Sequence, residues 1–155
     1  MVTNNVIFKE MIFLDKEFSQ QEEIIDFVIN EAKENNFIAD GIKLKQAILS
    51  REQEVSTAIG FNIAMPHGKS SEVKQPFIAF LRTKEAINWD ERSDNEVSLI
   101  FLIAVPDHNK DNMHLEFISQ ISKKLLDEEF RKKLQTDQDL EKVYELLNSI
   151  NNKGE

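Results

Sequence analysis

Two apolar runs limit most strongly what this chain can fold into. The segments "PFIAFLR" (76–82) and "VSLIFLIAV" (97–105) are apolar at almost every position, so neither has a polar face. Adjacent side chains of a strand point to opposite faces, so such runs predict interior strands of a sheet that is covered on both sides. Pro106 is expected to end the second strand, because proline cannot donate a hydrogen bond to a neighbouring strand.

A further strand and a first helix are predicted near the N-terminus. Residues 6–14, "VIFKEMIFL", have strand composition, with an expected interruption near Lys9 and Glu10. Ser19 precedes Glu22 by three residues, which is the spacing of a helix capping box. Apolar residues then recur at helical period, at Ile24, Ile25, Val28, Ile29 and Ala32.

The other helices are predicted from the same period. Asp40 is expected to cap a second helix that ends at or just before Arg51, and Asp111 is expected to cap a third. The segment from there to about residue 150 is also helical in period. The predicted inward positions are Leu44, Ala47, Ile48, Met113, Phe117, Ile118, Ile121, Leu125, Leu134, Leu140, Val143, Leu146 and Leu147. Strands mixed with helices along the whole chain indicate a layered α/β domain.

Length and charge narrow the class of protein. The 155 residues suit one domain, expected over residues 1–150, followed by a frayed tail over 151–155. A net charge of -9 disfavours general attraction to nucleic acid or to an anionic membrane, so any bound anion must be attracted by a local cationic cluster. There is no cysteine, and no apolar run approaches the roughly 20 residues that span a bilayer. The expected location is cytoplasmic.

His67 is the first candidate for chemistry. It lies in "GFNIAMPHGKSSEVKQP", where Pro66 fixes its own φ and Gly68 permits a positive φ or a close backbone approach. The ring is therefore predicted to stand on a rigid turn at the end of a strand-like stretch. An imidazole there can act as a base, a metal ligand or a nucleophile, and the alternative is a surface histidine with no role.

Several other residues are candidates for binding an anion, each with a structural alternative. His114 lies near the start of the third predicted helix, where free N–H groups favour phosphate, but it also flanks an apolar stripe. Arg51 offers a planar fork to a phosphate or is a solvated residue at a helix end. Lys69 can support an anion or simply be solvated. Ser70, with Ser71, can bind phosphate or cap the next turn.

The sequence lacks the other common motifs of metal sites and enzymes. His108 lies in a polar loop and is expected to be solvated, and the three histidines do not have the spacing of a helical metal pair. No metal is expected, and no nucleophile elbow, Walker A or Rossmann glycine pattern occurs. With 28 acidic residues, a catalytic carboxylate pair cannot be distinguished from solvated surface.

The segment around His67 resembles a known family. "GFNIAMPHG" (60–68), the upstream "REQEVST" and the downstream "VSLIFLIAVPDHNKDNMHLEF" are similar to the enzyme IIA components of the fructose/mannitol type in the bacterial sugar phosphotransferase system. Asn62 stands where the family usually has a second glycine, and asparagine tolerates the left-handed backbone. Met65 replaces a branched aliphatic residue.

The resemblance implies a fold, an activity and partners. The fold is a single-domain three-layer sandwich, with a mixed central sheet of about five strands flanked by helices on both faces. His67 is the phosphorylated residue, His114 supports the phosphoryl group and Arg51 stabilises charge, with no cofactor. The partners are the histidine-phosphocarrier protein and an enzyme IIB, expected on a separate chain with its membrane permease. The alternative function is a nitrogen-type regulatory enzyme IIA, whose phosphorylation state controls target proteins.

Overall fold

The computed structural model describes residues 6–90, 94–107 and 113–149. Its strands are β1 (Ile7–Lys16), β2 (Ala58–Gly60), β3 (Ile63–Ala64), β4 (His67–Ser70), β5 (Phe77–Asn88) and β6 (Glu96–Pro106). Its helices are α1 (Gln21–Glu34), α2 (Ile42–Glu54), α3 (Met113–Leu125), α4 (Glu128–Thr136) and α5 (Leu140–Asn148).

The strands form one mixed sheet. Its order is β1-β5-β6-β3-β2, and β4 pairs with β6 beyond the end of β3. β5 and β6 are antiparallel, whereas β1 is parallel to β5 and both β3 and β4 are parallel to β6. The two apolar runs thus form the central pair, as predicted, and β6 ends at Pro106. β1 continues past Lys9 and Glu10, where the predicted interruption takes the form of a register shift between Ile7 and Ile12.

Two apolar clusters cover the two faces of the sheet. α1 and α2 pack on one face and α3, α4 and α5 on the other. Alternate residues of β5 contribute to each, with Phe77 and Ala79 in the first cluster and Ile78 and Phe80 in the second. This arrangement confirms the predicted three-layer α/β fold.

The start of α1 lies one residue later than predicted. The N-cap is Gln20, and the Glu23 carboxylate accepts hydrogen bonds from the backbone N–H groups of Ser19, at 2.9 Å, and Gln20, at 3.2 Å. The predicted pair of Ser19 and Glu22 is therefore wrong. Glutamine and glutamate repeat over residues 20–23, so the spacing alone does not fix the register of the cap.

The start of α2 is capped from a distant part of the chain. Its N-cap is Gly41, which has a left-handed conformation. The prediction that Asp40 caps this helix is therefore wrong. Instead, Oε1 of Glu72 accepts hydrogen bonds from the N–H groups of Gly41, Lys43 and Leu44 at 3.0, 3.0 and 3.2 Å. A carboxylate from the segment after β4 thus satisfies the free amides at the helix start. The predicted cap of α3, Asp111, lies outside the described residues.

Candidate active site

His67 lies in an extended segment, not on the predicted turn. It is the first residue of β4 and is aligned with Ile103 of β6. The N–H of Ile103 donates to the carbonyl of Pro66 at 2.9 Å, so the chain runs along the edge of β6 from β3 through Pro66 into β4. The turn lies earlier, where Gly60, Phe61 and Asn62 have left-handed backbone. Pro66 interrupts only the N–H side of the ladder, which is compatible with an edge position.

Gly68 explains how β4 approaches α2. A Cβ atom at Gly68 would lie 2.9 Å from Cγ1 of Ile48 and 3.2 Å from its backbone nitrogen. Of the two predicted reasons for this glycine, the close approach is the correct one. Since Gly68 faces α2 and strand side chains alternate, the side chain of His67 lies on the face away from α2.

On that face, the two candidate histidines meet. The ring centroids of His67 and His114 are 5.7 Å apart, and the ring planes differ by 27°. His114 lies in the first turn of α3, and both side chains are partly exposed. The sequence separates them by 47 positions, and the sheet brings them together because β4 and the end of β6 are neighbours.

The backbone fixes the tautomer of His67. Its Nδ1 lies 3.0 Å from the carbonyl oxygen of Met65. A carbonyl oxygen can only accept, so Nδ1 carries the proton and Nε2 carries the lone pair. Burial and the charge of Arg51 lower the pKa of His67 below its ordinary 6.5, while the Met65 hydrogen bond and the charge of Glu52 oppose that shift. The ring is therefore neutral at pH 7.

His114 is also a neutral imidazole. Burial, with the nearby His67 and Lys69, lowers its pKa below 6.5. Its Nδ1 is buried and has no hydrogen-bond partner among the described residues. An unsatisfied buried acceptor is better tolerated than an unsatisfied N–H donor, so the proton is favoured on Nε2.

Two cations accompany the histidines. Arg51 lies in the last turn of α2, where its Nη1 donates to the carbonyl of Val55 at 2.9 Å. Lys69 is exposed on the same face of β4 as His67. Within the described ranges, neither side chain forms an ion pair with a carboxylate. The site therefore has a local positive potential on a chain of net charge -9.

Ser70 is not brought into the site. Ser70 is buried, and its hydroxyl accepts a hydrogen bond from the N–H of Glu72 at 3.1 Å. It lies on the same face of β4 as Gly68, so its predicted role in binding phosphate gives way to the alternative of capping the turn. His108 lies outside the described residues. No group of three or more potential metal ligands occurs among residues that the structure describes.

The sequence matches a family over almost its whole length. Residues 5–150 match the family described as phosphoenolpyruvate-dependent sugar phosphotransferase system, EIIA 2. The chain belongs to this family. It is thus a phosphotransferase of the EIIA class, as the resemblance around His67 predicted. None of its described helices is both long and apolar enough to cross a bilayer.

Relatives of this EIIA protein include both separate chains and parts of larger ones. A fructose-specific EIIA component of Haloferax volcanii is 32% identical, over 91% of each chain. A fructose-specific EIIABC component of Bacillus subtilis is also 32% identical, over 96% of this chain, which spans only 23% of that protein.

Solved structures of the same class have the same fold. The nitrogen regulatory protein IIA-Ntr of Neisseria meningitidis superposes with a TM-score of 0.82 at 29% identity, covering 92% of this chain and 96% of that one. The IIA subunit in a complex of IIA-mannitol with phosphorylated IIB-mannitol from Escherichia coli superposes with a TM-score of 0.77 at 26% identity, covering 90% and 95%.

One feature of this EIIA site was not predicted from the sequence. Glu52, directly after Arg51, is only 4% exposed and contacts Thr57 and Trp89. The burial of Glu52 could have been predicted, because this residue follows Leu44 and Ile48 at a spacing of four on the buried side of α2. It was overlooked because a charged residue near a helix end is normally solvated.

Proposed function

We propose that this protein is a phosphoryl carrier that accepts phosphate on Nε2 of His67 from the histidine-phosphocarrier protein and passes it to an enzyme IIB. The observation that carries the proposal is the hydrogen bond between Nδ1 of His67 and the Met65 carbonyl. It leaves the Nε2 lone pair free on a partly exposed ring, which both partners can reach in turn.

The transfer follows from this geometry. The Nε2 lone pair forms a bond to the phosphorus atom while the bond between that phosphorus and the nitrogen of the donor breaks, and the electrons of that bond return to the donor imidazole. The His67 ring gains positive charge as it is phosphorylated, and the Met65 carbonyl stabilises that charge at Nδ1–H. The same charge makes the ring a good leaving group for the next transfer.

The remaining groups supply charge stabilisation. A phosphoryl group in transfer is anionic and its transition state is loose, so catalysis depends on alignment and on positive groups. Arg51 and Lys69 provide the positive charge, and Nε2–H of His114 donates to a phosphoryl oxygen. The lowered pKa of His67 keeps the nucleophile unprotonated at neutral pH. The lowered pKa of His114 keeps that ring neutral as well.

The partners are inferred from related proteins. The Escherichia coli IIA-mannitol was solved in complex with phosphorylated IIB-mannitol, and several relatives are fructose-specific. A fructose-type enzyme IIB is therefore the proposed acceptor, and sugar uptake the proposed purpose.

The test is incorporation of phosphate from phosphoenolpyruvate in the presence of purified enzyme I and histidine-phosphocarrier protein. We expect an acid-labile, base-stable phosphate in the wild type and none in His67→Ala. His114→Ala should still bind its partners but transfer phosphate slowly. Labelling that persists in His67→Ala would refute the assignment.

A second function is favoured by one observation, the likeness to a nitrogen regulatory IIA. In that case His67 is a switch, and its phosphate is retained. The two functions differ in the lifetime of phospho-His67 after a purified fructose-type enzyme IIB is added. Loss within seconds supports transport, and retention supports regulation.

A further inference from the structure

A buried carboxylate lies directly behind the proposed phosphorylation site. Among the residues that the structure describes, Glu52 is the only acidic side chain that is buried. Burial of a charged group is costly unless hydrogen bonds compensate for the loss of water, so such a residue needs a specific reason. Glu52 follows Arg51 in the last turn of α2, at the end of the helix nearest to His67.

A continuous route of hydrogen bonds joins Glu52 to the His67 ring. Oε1 of Glu52 accepts from the N–H of Thr57 at 3.2 Å, and Oε2 accepts from the Thr57 hydroxyl. The carbonyl of Thr57 accepts from the N–H of Met65 at 3.1 Å. The carbonyl of Met65 accepts from Nδ1–H of His67 at 3.0 Å. Each member of the route thus orients the next one.

The other side of Glu52 is anchored to the sheet. The indole Nε1–H of Trp89 donates to Oε1 of Glu52 at 3.2 Å. Trp89 directly follows β5, is 1% exposed, and its N–H donates to the carbonyl of Asn95 at 2.9 Å. Glu52 therefore connects a rigid indole of the sheet with the segment that presents the Met65 carbonyl.

The same anchor fixes where the Arg51 side chain begins. Consecutive residues of a helix point about 100° apart, so holding Glu52 in place also sets the direction in which the Arg51 side chain leaves the helix. The last turn of α2 thus links the position of Glu52 to the position of Arg51.

We propose that Glu52, held by Trp89 and bonded to Thr57, is a positioning residue that keeps His67 in the Nδ1–H tautomer required for phosphorylation on Nε2. The proposal rests on the proposed function of His67, but it concerns a residue that never touches the phosphoryl group. Free histidine favours the opposite tautomer, so the protein must hold the Met65 carbonyl in place to reverse this preference.

Two variants of Glu52 separate positioning from charge. In Glu52→Gln the amide oxygen can accept both N–H bonds at Oε1, and the amide nitrogen can donate to the Thr57 hydroxyl. The hydrogen bonds to Thr57 and Trp89 are kept, with the direction of the Thr57 hydroxyl bond reversed, and the negative charge is lost. In Glu52→Leu the volume is similar, but every hydrogen bond of the carboxylate is lost.

The first measurement is the tautomer of His67, read from the ¹⁵N chemical shifts of its ring in the unphosphorylated protein. We expect Nδ1–H in the wild type and in Glu52→Gln, and a marked population of Nε2–H in Glu52→Leu. This measurement requires no partner protein, so it tests the role of Glu52 independently of the proposed phosphoryl transfer. An unchanged tautomer in a folded Glu52→Leu would overturn the proposal.

The second measurement is the rate of phosphorylation by the phosphocarrier. A small misplacement of a nucleophile lowers the rate by about tenfold to a hundredfold. We expect that loss in kcat for Glu52→Leu, with KM unchanged because Glu52 is buried away from the partner, and less than about a threefold loss in Glu52→Gln. Equal losses in both variants would assign Glu52 a role through its charge and contradict positioning.

Thr57→Val and Thr83→Val form a matched pair that also covers the case in which Glu52→Leu fails to fold. Both threonines are buried and both hydroxyls are engaged, that of Thr83 with the Glu85 carbonyl at 2.7 Å. Thr83 lies on β5 beside Lys16 of β1, away from the route. We expect only Thr57→Val to shift the tautomer and slow the transfer. The same effect in both variants would show a general loss of structure and overturn the proposal.

Discussion

At the scale of single residues, the His67 ring is subject to opposing influences on its charge. Burial and Arg51 lower its pKa, whereas the Met65 hydrogen bond and Glu52 raise it, and the lowering influences are the stronger ones. The pKa of His114 is lowered as well, by burial and by the nearby His67 and Lys69. Since only the neutral ring has a free lone pair, the rate of phosphorylation should be constant near pH 7 and should fall only when the pH drops below the lowered pKa.

Arg51 lowers the pKa of His67 through its charge, and in the proposed reaction it also donates hydrogen bonds to the phosphoryl group. Arg51→Gln removes a positive charge, so the pKa of His67 should rise and the acidic limb of the pH–rate profile should move to higher pH. Arg51→Lys keeps the charge, so the limb should stay in place. Both variants lose the planar fork, and a charged hydrogen bond is worth roughly 1.5–3 kcal/mol, or about tenfold to a hundredfold in rate. An NMR titration of His67 in each variant checks the pKa; identical profiles in both would contradict the charge effect.

At the scale of elements, the site depends on how α2 is held against β4. The helix is fixed at its end by Glu52 and at its start by Glu72, which accepts from three backbone amides. Removal of such a cap costs about 0.5–2 kcal/mol. We therefore expect Glu72→Ala to lower the free energy of unfolding in urea by about that amount.

The control for this prediction lies at the other end of the same helix. Glu54 is exposed in the last turn of α2, where the helix dipole disfavours a negative charge. Glu54→Ala should therefore leave the free energy of unfolding unchanged or raise it slightly. A loss in Glu54→Ala as large as that in Glu72→Ala would contradict the capping role.

At the scale of the whole molecule, the two histidines link stability to pH. Their pKa values are lower in the folded protein than the ordinary 6.5, so near and just below pH 6.5 the unfolded chain binds more protons than the folded one. The free energy of unfolding should then decrease as the pH falls from 7.5 to 5.5. The low pKa values of Asp15 and Glu23 act in a separate window, below about pH 4.5.

Denaturant titrations at several pH values test this linkage. The decrease between pH 7.5 and 5.5 should be smaller in the double variant His67→Gln/His114→Gln. A variant of the exposed pair formed by Lys9 and Glu141, such as Lys9→Gln, should keep the full decrease. If the free energy of unfolding of the double variant decreased as much as that of the wild type, neither histidine would be the source of the pH dependence.

The sequence by itself determined the layers of the fold and led to the proposal that His67 is the reacting residue. Residues 76–82 and 97–105 are apolar on both faces, which suits interior strands of a sheet that is covered on both sides. "GFNIAMPHG" made His67 the predicted reacting residue, because its family resemblance is local in the chain. The caps at Ser19 and Asp40 were predicted wrongly. After Ser19 a row of glutamine and glutamate residues allows more than one register of the capping box, and the free amides at the start of α2 bind the distant Glu72 instead of Asp40.

Only the tertiary structure decided what surrounds His67. The contact with His114 crosses 47 positions of the chain, and the cap of α2 comes from Glu72, about 30 positions after the helix start. The anchoring of Glu52 by Trp89 joins residues 37 positions apart. The Met65 carbonyl that sets the tautomer of His67 lies only two positions away in sequence, but the direction in which it points depends on the folded path of the chain along β6. Local patterns record which residues are buried and which are polar, but not which of them meet, because that is set by the register of β4 on β6 and by the packing of α2 against β4.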